Sequence, residues 1–501
     1  MNGTMRSLAH YWTSSSMAGS YDLSSLMSTY EVAMLTFPSS TSSLGRHRST
    51  RTALSVGVTL FYLALSLLMY AKAPSCGHLQ PDSAGYITSA QQLGEHNPEA
   101  YDQRLPGYPL FLKLFLDSEG KPAMGLILIV QTLLVVLTAF LAQRIYKEIT
   151  GKPGVAVYAL TLLNPGTISI PQQLISECLF TFFIALHCLC IIQCMRKTNS
   201  WHLAGAALAG FVLYLIKPQG LAVYAASLFI AACATLLRQG WRRGLRFGIS
   251  GAVLFMLPLL VFLWVKHGTT GNWELVPTRY ATFVTSEYLL GIEMKIAGYP
   301  MPPGSELRSR GREHARKVLG ISQERWAQHS DEQQQSIIAD NLPFLVKSYG
   351  AEALTRGLVF SLYSFFADDP GGTVLFLGLP NISLRAFARD IAGGATQNAD
   401  QVASAAIKAS VYIFSFAKML SIVLAAAFLF RSRPSAEILL LVSQILLAYA
   451  VCNYLSAPRF RWPVDPLLHV VIVMYAFPTA MRLLGSSRMG LPPATGAVHQ
   501  G

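Results

Sequence analysis

The sequence predicts an all-α integral membrane protein with about ten transmembrane helices and both termini in the cytoplasm. Three observations predict it. Of 501 residues, 52% are hydrophobic and 13% are charged, about half the charged share of a soluble domain. The apolar residues gather in runs of at least 16, close to the length that crosses a bilayer core. Lys and Arg collect at alternate ends of those runs, as the positive-inside rule requires.

The runs cover 53–71, 123–143, 155–171, 174–195, 201–216, 218–237, 247–265, 409–430, 435–455 and 465–481. Arg46, Arg48 and Arg51 precede the first, and Arg144, Lys147 and Lys152 follow the second. Arg196 and Lys197 follow the fourth, and Arg238, Arg242, Arg243 and Arg246 the sixth. Arg431 and Arg433 follow the eighth, Arg482 and Arg488 the tenth. If every run crosses once, all six clusters share one side, the cytoplasm. The third run contains Asn164-Pro165-Gly166, a helix break that a bundle interior can absorb. Without it as a crossing, the later clusters would face the wrong way.

The chain therefore reads as a polar cytoplasmic tail (1–50), a transmembrane domain (51–485) and a second cytoplasmic tail (486–501). The first tail has no signal-peptide pattern. The other side receives 72–122, tight turns at 172–173 and 217–219, the long segment 266–408 between helices 7 and 8, and 457–464. Pro and Gly breaks in 72–122 predict short amphipathic surface helices there. Residues 340–366 predict another in the interface plane. Asp340 or Asn341 is its cap, and Leu345, Tyr349, Leu354, Leu358 and Leu362 keep helical spacing. The chain contains no internal repeat.

The net charge is +13, but the basic residues sit at helix ends and no nucleic-acid motif accompanies them, so nucleic acid is not an expected partner. Cys178, Cys188, Cys190, Cys194 and Cys233 read as small buried hydrophobes. Cys76 and Cys452 lie nearer the outer side, where pairing is open to them. No Cys/His spacing suits a metal.

The outer side carries the unusual charges. Asp82 stands in Pro81-Asp82-Ser83, about ten residues past the first run, and also suits a helix cap. Glu177 lies near the outer end of the fourth run. A carboxylate there, costly in an apolar helix, faces a cavity or a partner. Lys217, in Ile216-Lys217-Pro218, runs against the positive-inside trend or snorkels. Arg459 and Arg461 flank Phe460, as interface anchors or as a grip on phosphate, which guanidinium forks match. Together, one carboxylate and several cations at membrane depth suit transfer of a group from a lipid-embedded phosphate. The carboxylate takes a proton from an attacking hydroxyl, and the cations neutralise the departing phosphate.

Pro81-Asp82-Ser83 with Tyr86, Ala90 and Leu93, followed by Arg104 and Pro106-Gly107-Tyr108-Pro109, resembles the first outer loop of GT-C-type membrane glycosyltransferases. The likeness is to the branch of protein mannosyltransferases and lipid A aminoarabinose transferases. Ser176-Glu177 after Asn164-Pro165, Lys217-Pro218, Asn341-Leu342-Pro343 and Ala457-Pro458-Arg459-Phe460-Arg461-Trp462-Pro463 resemble later elements of that branch. The resemblance runs from about residue 50 to 480 as short islands, whose order and common face carry it. It implies a polyprenyl-phosphate sugar donor, inversion at the anomeric carbon, and Asp82 as the catalytic base. Arg104, Lys217, Arg459 and Arg461 would bind the donor phosphate, and Tyr86, Tyr108 and Glu177 would line the site. The sequence departs from relatives that carry a second acidic residue just after the first, or an Asp-x-Asp metal site.

No cofactor is implied with certainty. A divalent metal is an open option at Asp368-Asp369, a pair that also suits a solvated turn. His78 reads as a surface residue. Tyr280, Tyr288 and Trp326 are candidates to stack on sugar rings. The expected acceptor is a glycan, glycolipid or protein, and the expected location a bacterial inner membrane with the site facing the periplasm. In an endoplasmic reticulum, Asn381-Ile382-Ser383 would be a sequon. Two competing functions remain, a transporter or flippase without transfer chemistry, and a ligase moving a whole lipid-linked glycan. The absence of repeats and the outer position of the charges weigh against the transporter.

Overall fold

The structure, a computed structural model, describes residues 44–73, 78–79, 81–93, 101, 104–197, 199–276, 304–351, 355, 365–366, 370–394, 396–432, 434–452 and 462–483. The chain divides into two units, 1–53 and 54–501. Of the first, the described residues 44–53 open helix α1 (Leu44–Lys72). The second holds everything else. Among the described residues there is no strand, only an isolated bridge between Leu116 and Pro122.

As far as they are described, the apolar runs fall mostly on helix, but not all on long helix. Among the described residues, six stretches are long and apolar enough to cross a membrane: Thr52–Lys72 of α1, α4 (Met124–Thr150), α7 (Glu177–Lys197), α9 (Gln219–Gln239), α10 (Trp241–Thr270) and α17 (Ala399–Arg431). Helices α8 (Ser200–Ile216), α18 (Ala436–Cys452) and α19 (Asp465–Leu483) are apolar but offer shorter windows. The third run is broken. Its first part, α5 (Val155–Leu163), has nine residues and rises about 14 Å. Asn164 is extended there, and its side chain accepts from the Gly166 amide to start α6 (Pro165–Ser169). A 3₁₀ turn, Ile170–Gln172, follows, and irregular backbone runs on to Glu177.

Helix α7 is the centre of the bundle. It packs against α4 and α8, and also meets α9, α18 and the 3₁₀ turn Trp462–Val464. Two-thirds of its apolar window is buried, against 17% for α1 and for α17. Leu60, Phe61 and Leu67 of α1 and Ile413, Phe416 and Phe430 of α17 are exposed, as lipid-facing side chains are. Away from the site, Glu437 of α18 is buried between Arg238 (3.1 Å) and Arg196 (3.5 Å). That ion cluster fastens α7, α9 and α18 at the ends carrying the basic clusters.

Two short helices precede α4: α2 (Pro81–Gln92) and α3 (Gly107–Lys113). They pack together, and α3 also meets α8. In the long segment, α11 (Gly304–Val318), α12 (Gln323–Ala327), α13 (Asp331–Asp340) and α14 (Leu342–Ser348) close a small core of Ala315, Trp326, Ile338 and Leu345. Trp326 is thus a buried packing residue, not a sugar platform. Of the interfacial helix expected over 340–366, the described residues are helical at Leu342–Ser348 (α14) and again at 350–351, 355 and 365–366, with α13 ending at Asp340 and a turn at Tyr349. Asn341 caps nothing with its side chain. Its amide donates back to Ile337 O. Leu354, Leu358 and Leu362 lie outside the described residues, as do Tyr280, Tyr288, Cys76 and Asp368-Asp369. Helices α15 (Pro370–Phe376) and α16 (Leu384–Ala392) lead into α17, which opens with a capping box between Asn398 and Gln401.

Candidate active site

The irregular stretch 171–177 is the floor of the site. Side chains from three directions meet the carbonyls of Pro171, Gln172, Gln173 and Leu174. Gln131 of α4 donates to Pro171 O (3.1 Å) and Gln173 O (2.8 Å). His78 Nδ1 lies 2.6 Å from Gln172 O, and the Leu174 amide donates to His78 O. Ser83 donates to Leu174 O at 2.8 Å. A carbonyl only accepts, so Nδ1 of His78 carries the proton. His78 is buried, with its ring stacked on Phe376 and tilted against Tyr70. The surface histidine expected from the sequence is instead a bolt that fixes the approach to α2.

Helix α2 begins at Pro81, which places Asp82 in its first turn. Arg104 Nη2 donates to Asp82 Oδ1 at 2.8 Å, with the two side chains 19% and 25% exposed. The guanidinium also lies over the Tyr86 ring, 4.8 Å from its centroid. The Tyr86 hydroxyl is 3.0 Å from Ser176 Oγ, and its ring meets Tyr108 edge-on at 4.8 Å. Tyr108 donates to Gln131 Oε1 at 2.9 Å. Burial pushes the Tyr108 phenol well above its usual range, so it serves as a neutral donor.

Ser176 leads directly into Glu177, the first residue of α7. Lys217, extended between α8 and α9, pairs with Glu177 at 3.0 Å, the two side chains 14% and 5% exposed. Lys217 also stands 5.7 Å from the Phe180 ring centroid. The Arg104 loop and the Lys217 turn are pressed together. A Cβ on Gly107 would come 2.6 Å from the Leu215 carbonyl carbon, so only glycine admits this approach.

The structure therefore brings Asp82, Tyr86, Arg104, Tyr108, Glu177 and Lys217 into one string of contacts. Arg459 and Arg461 lie outside the described residues. The next residue, Trp462, is buried against Gly166, and its indole Nε1 has no partner among the described residues. It borders a small cavity lined also by Thr138, Thr161, Thr167, Thr181 and Cys178. Close by, the Asn164 amide donates to the buried Asp465 carboxylate at 2.8 Å, joining the broken third run to the start of α19.

Sequence reasoning missed Gln131, His78, Ser83 and the Asn164–Asp465 pair. Gln131 alone gave a usable signal, as an amide in the middle of an apolar run. Among the described residues, no three His, Cys, Asp or Glu side chains gather in a metal-binding cluster.

The chain is similar to the solved structure of ArnT from Cupriavidus metallidurans bound to undecaprenyl phosphate. The two are 15% identical, over 86% of this chain and 79% of that one, with a TM-score of 0.33. Superposition that loose carries no functional information. No family model and no curated protein matches the chain.

Proposed function

We propose that the chain is a membrane glycosyltransferase of the GT-C type, moving a sugar from a polyprenyl-phosphate donor to a hydroxyl acceptor. The observation that supports this best is the contact string from Asp82 through Arg104, Tyr86 and Ser176-Glu177 to Lys217. It holds a partly accessible carboxylate and two cations beside helices that expose large apolar side chains. On this reading the bundle crosses the membrane about ten times, with the third run crossing as a broken helix. Residues 51–485 form the transmembrane domain, the tails 1–50 and 486–501 are cytoplasmic, and the site faces the opposite side. A bacterial inner membrane, with the site toward the periplasm, fits a donor carried on a membrane lipid.

Asp82 is the base. Its carboxylate takes the proton of the acceptor hydroxyl as that oxygen attacks the anomeric carbon from the face opposite the phosphate. The bond from carbon to phosphate oxygen breaks with its electron pair, and the configuration inverts. Negative charge then grows on the lipid phosphate. A cation about 4 Å away supplies a gross Coulomb term of about 4 kcal/mol at an effective dielectric of 20. On this reading Arg104 and Lys217 take that role, joined by Arg459 and Arg461. Arg104 can serve two partners because its guanidinium presents a planar fork of five N–H donors. Tyr86, Tyr108 and Glu177 line the site and hold the cations in place. The acceptor is a glycan, glycolipid or protein hydroxyl.

The test is transfer from a panel of labelled polyprenyl-phosphate sugars, with crude cell envelope as acceptor and the anomeric configuration of the product determined. One donor should turn over with inversion and release free polyprenyl phosphate. Turnover with retention contradicts the single-displacement mechanism. If no donor turns over but labelled lipid crosses the bilayer, the chain is a flippase.

A further inference from the structure

Helix α16 packs on α17 and carries an apolar face that the described residues leave partly uncovered. Ser383 caps it by accepting from the Ala386 amide. Leu384, Phe387, Ala388 and Ile391 recur at helical spacing and form one apolar stripe, while Arg385 and Arg389 share a flank one turn apart. None of its residues is buried, and Ile391 is 53% exposed. In water, a stripe of that kind would be left without a partner.

Two anchors place the segment relative to the long helices. Just before α16, Ser404 of α17 donates to Pro380 O at 2.7 Å, and the buried Lys408 Nζ bonds Asn381 Oδ1 and Ile382 O. A turn earlier, Gly378 lies against the carbonyl of Lys72, close enough that a Cβ would come within 3.1 Å of its oxygen. Lys72 is the last residue of the apolar stretch Thr52–Lys72. The segment entering α16 is therefore fixed at the end of one candidate span and over the first turns of another. Below that level, both helices expose large apolar side chains, Leu67 and Leu68 on α1 and Tyr412, Ile413 and Phe416 on α17.

From these positions we infer that α16 lies in the membrane interface, its Leu384-Phe387-Ile391 stripe at the headgroup–acyl boundary and Arg385 and Arg389 on lipid phosphates. The occupant of the open face is lipid because α16 packs on α17, which exposes Tyr412, Ile413 and Phe416 a few turns on. The flanking arginines suit a phosphate layer, and exposed Lys72 adds a cation at the same level. This assignment rests on α1 and α17 as membrane spans, and stands apart from the transferase reading.

The experiment uses the full chain in lipid nanodiscs. Ile391→Cys and Asp390→Cys, both at exposed positions, are labelled with a polarity-sensitive dye, and the signal of the labelled parent protein is subtracted. The dye at 391 should emit as in an apolar medium and lose most of its emission to lipids carrying a nitroxide high on the acyl chain. The dye at 390 should emit as in water and be quenched by iodide. Arg385→Glu with Arg389→Glu should weaken the lipid quenching at 391 while the protein elutes unchanged on gel filtration. Iodide quenching at 391 equal to that at 390 would overturn the inference in favour of a solvated helix. Shielding of 391 from both quenchers would overturn it in favour of a protein partner or second copy. Lipid quenching unmoved by the double substitution would overturn the role given to the arginines.

Discussion

The Glu177–Lys217 pair gives the sharpest energetic prediction. At 3.0 Å and an effective dielectric of 20, the gross attraction is about 5.5 kcal/mol. Desolvating both groups cancels much of it, so the pair as a whole is close to neutral against apolar replacements of similar size. Breaking it is another matter. Lys217→Met strands a carboxylate that is only 5% exposed, with an expected loss of about 3–5 kcal/mol. Glu177→Gln removes a carboxylate from the more exposed lysine, which keeps its place near the Phe180 ring, so the loss should be smaller. The double variant removes both charges and should recover most of the Lys217→Met deficit. The assay is unfolding in mixed micelles by sodium dodecyl sulfate titration, followed by circular dichroism, on all four proteins. A coupling energy of several kcal/mol, with Lys217→Met the worst, agrees with the structure. Additive single effects, or single losses under about 1 kcal/mol, would refute the reasoning.

Three further outcomes follow from the geometry. Gln131→Leu deprives the Tyr108 hydroxyl and the carbonyl of Pro171 of a partner and leaves Gln173 O with the Ile175 amide alone among the described bonds. It should cost about 2–4 kcal/mol in the same titration. Gly166→Ala drives a methyl group into the Trp462 indole and should destabilise by about 1–3 kcal/mol, with a shift in tryptophan emission. The third outcome is a pH effect in the small core of α11 to α14. Burial pushes the His314 imidazole, stacked on Tyr349, below its usual 6.5. The folded state thus keeps it neutral where the unfolded chain would protonate it. Its contribution is intact above 6.5 and is lost as the pH falls through that value toward the lower folded pKa. Arg316 holds the neighbouring Glu313 at about 2, so that carboxylate stays ionised throughout. Limited proteolysis within 304–349 should speed up on acidification, and His314→Phe should flatten the dependence.

Much of the helical framework was legible because one force dominates it. Apolar runs such as 201–216 and 218–237 end within about two residues of the helices they became, since lipid forces every backbone group into internal hydrogen bonds. Where another force acts, the pattern misleads. The run 247–265 understated α10, because Arg242, Arg243 and Arg246 continue the helix beyond its apolar part. In the same way α17 starts at Ala399, where a capping box sets the boundary instead of hydropathy. The spacing of Leu345 and Tyr349 was genuine, but both pack into a local core closed by α11 and Trp326, a tertiary contact that periodicity cannot distinguish from lipid.

The candidate site was legible as residue types out of place: Asp82 beyond a span, Glu177 in one, Lys217 on the unexpected side. Their partners were not. Ser176 sits 90 residues from Tyr86, and Asp465 sits 301 from Asn164. Nothing in a single sequence selects such pairs. His78 looked like a surface residue because its partner is a backbone carbonyl, which has no signature in side-chain chemistry.

The central claim is that Asp82 deprotonates an acceptor as a lipid phosphate departs. The most direct measurement is the single-turnover release of polyprenyl phosphate by wild type, Asp82→Asn and Asp82→Glu, each reconstituted in lipid and shown to be folded. The account predicts a fall of about 10²–10⁴-fold in Asp82→Asn, with donor binding retained and part of the rate restored by Asp82→Glu. A folded Asp82→Asn protein that releases polyprenyl phosphate at the wild-type rate would contradict it.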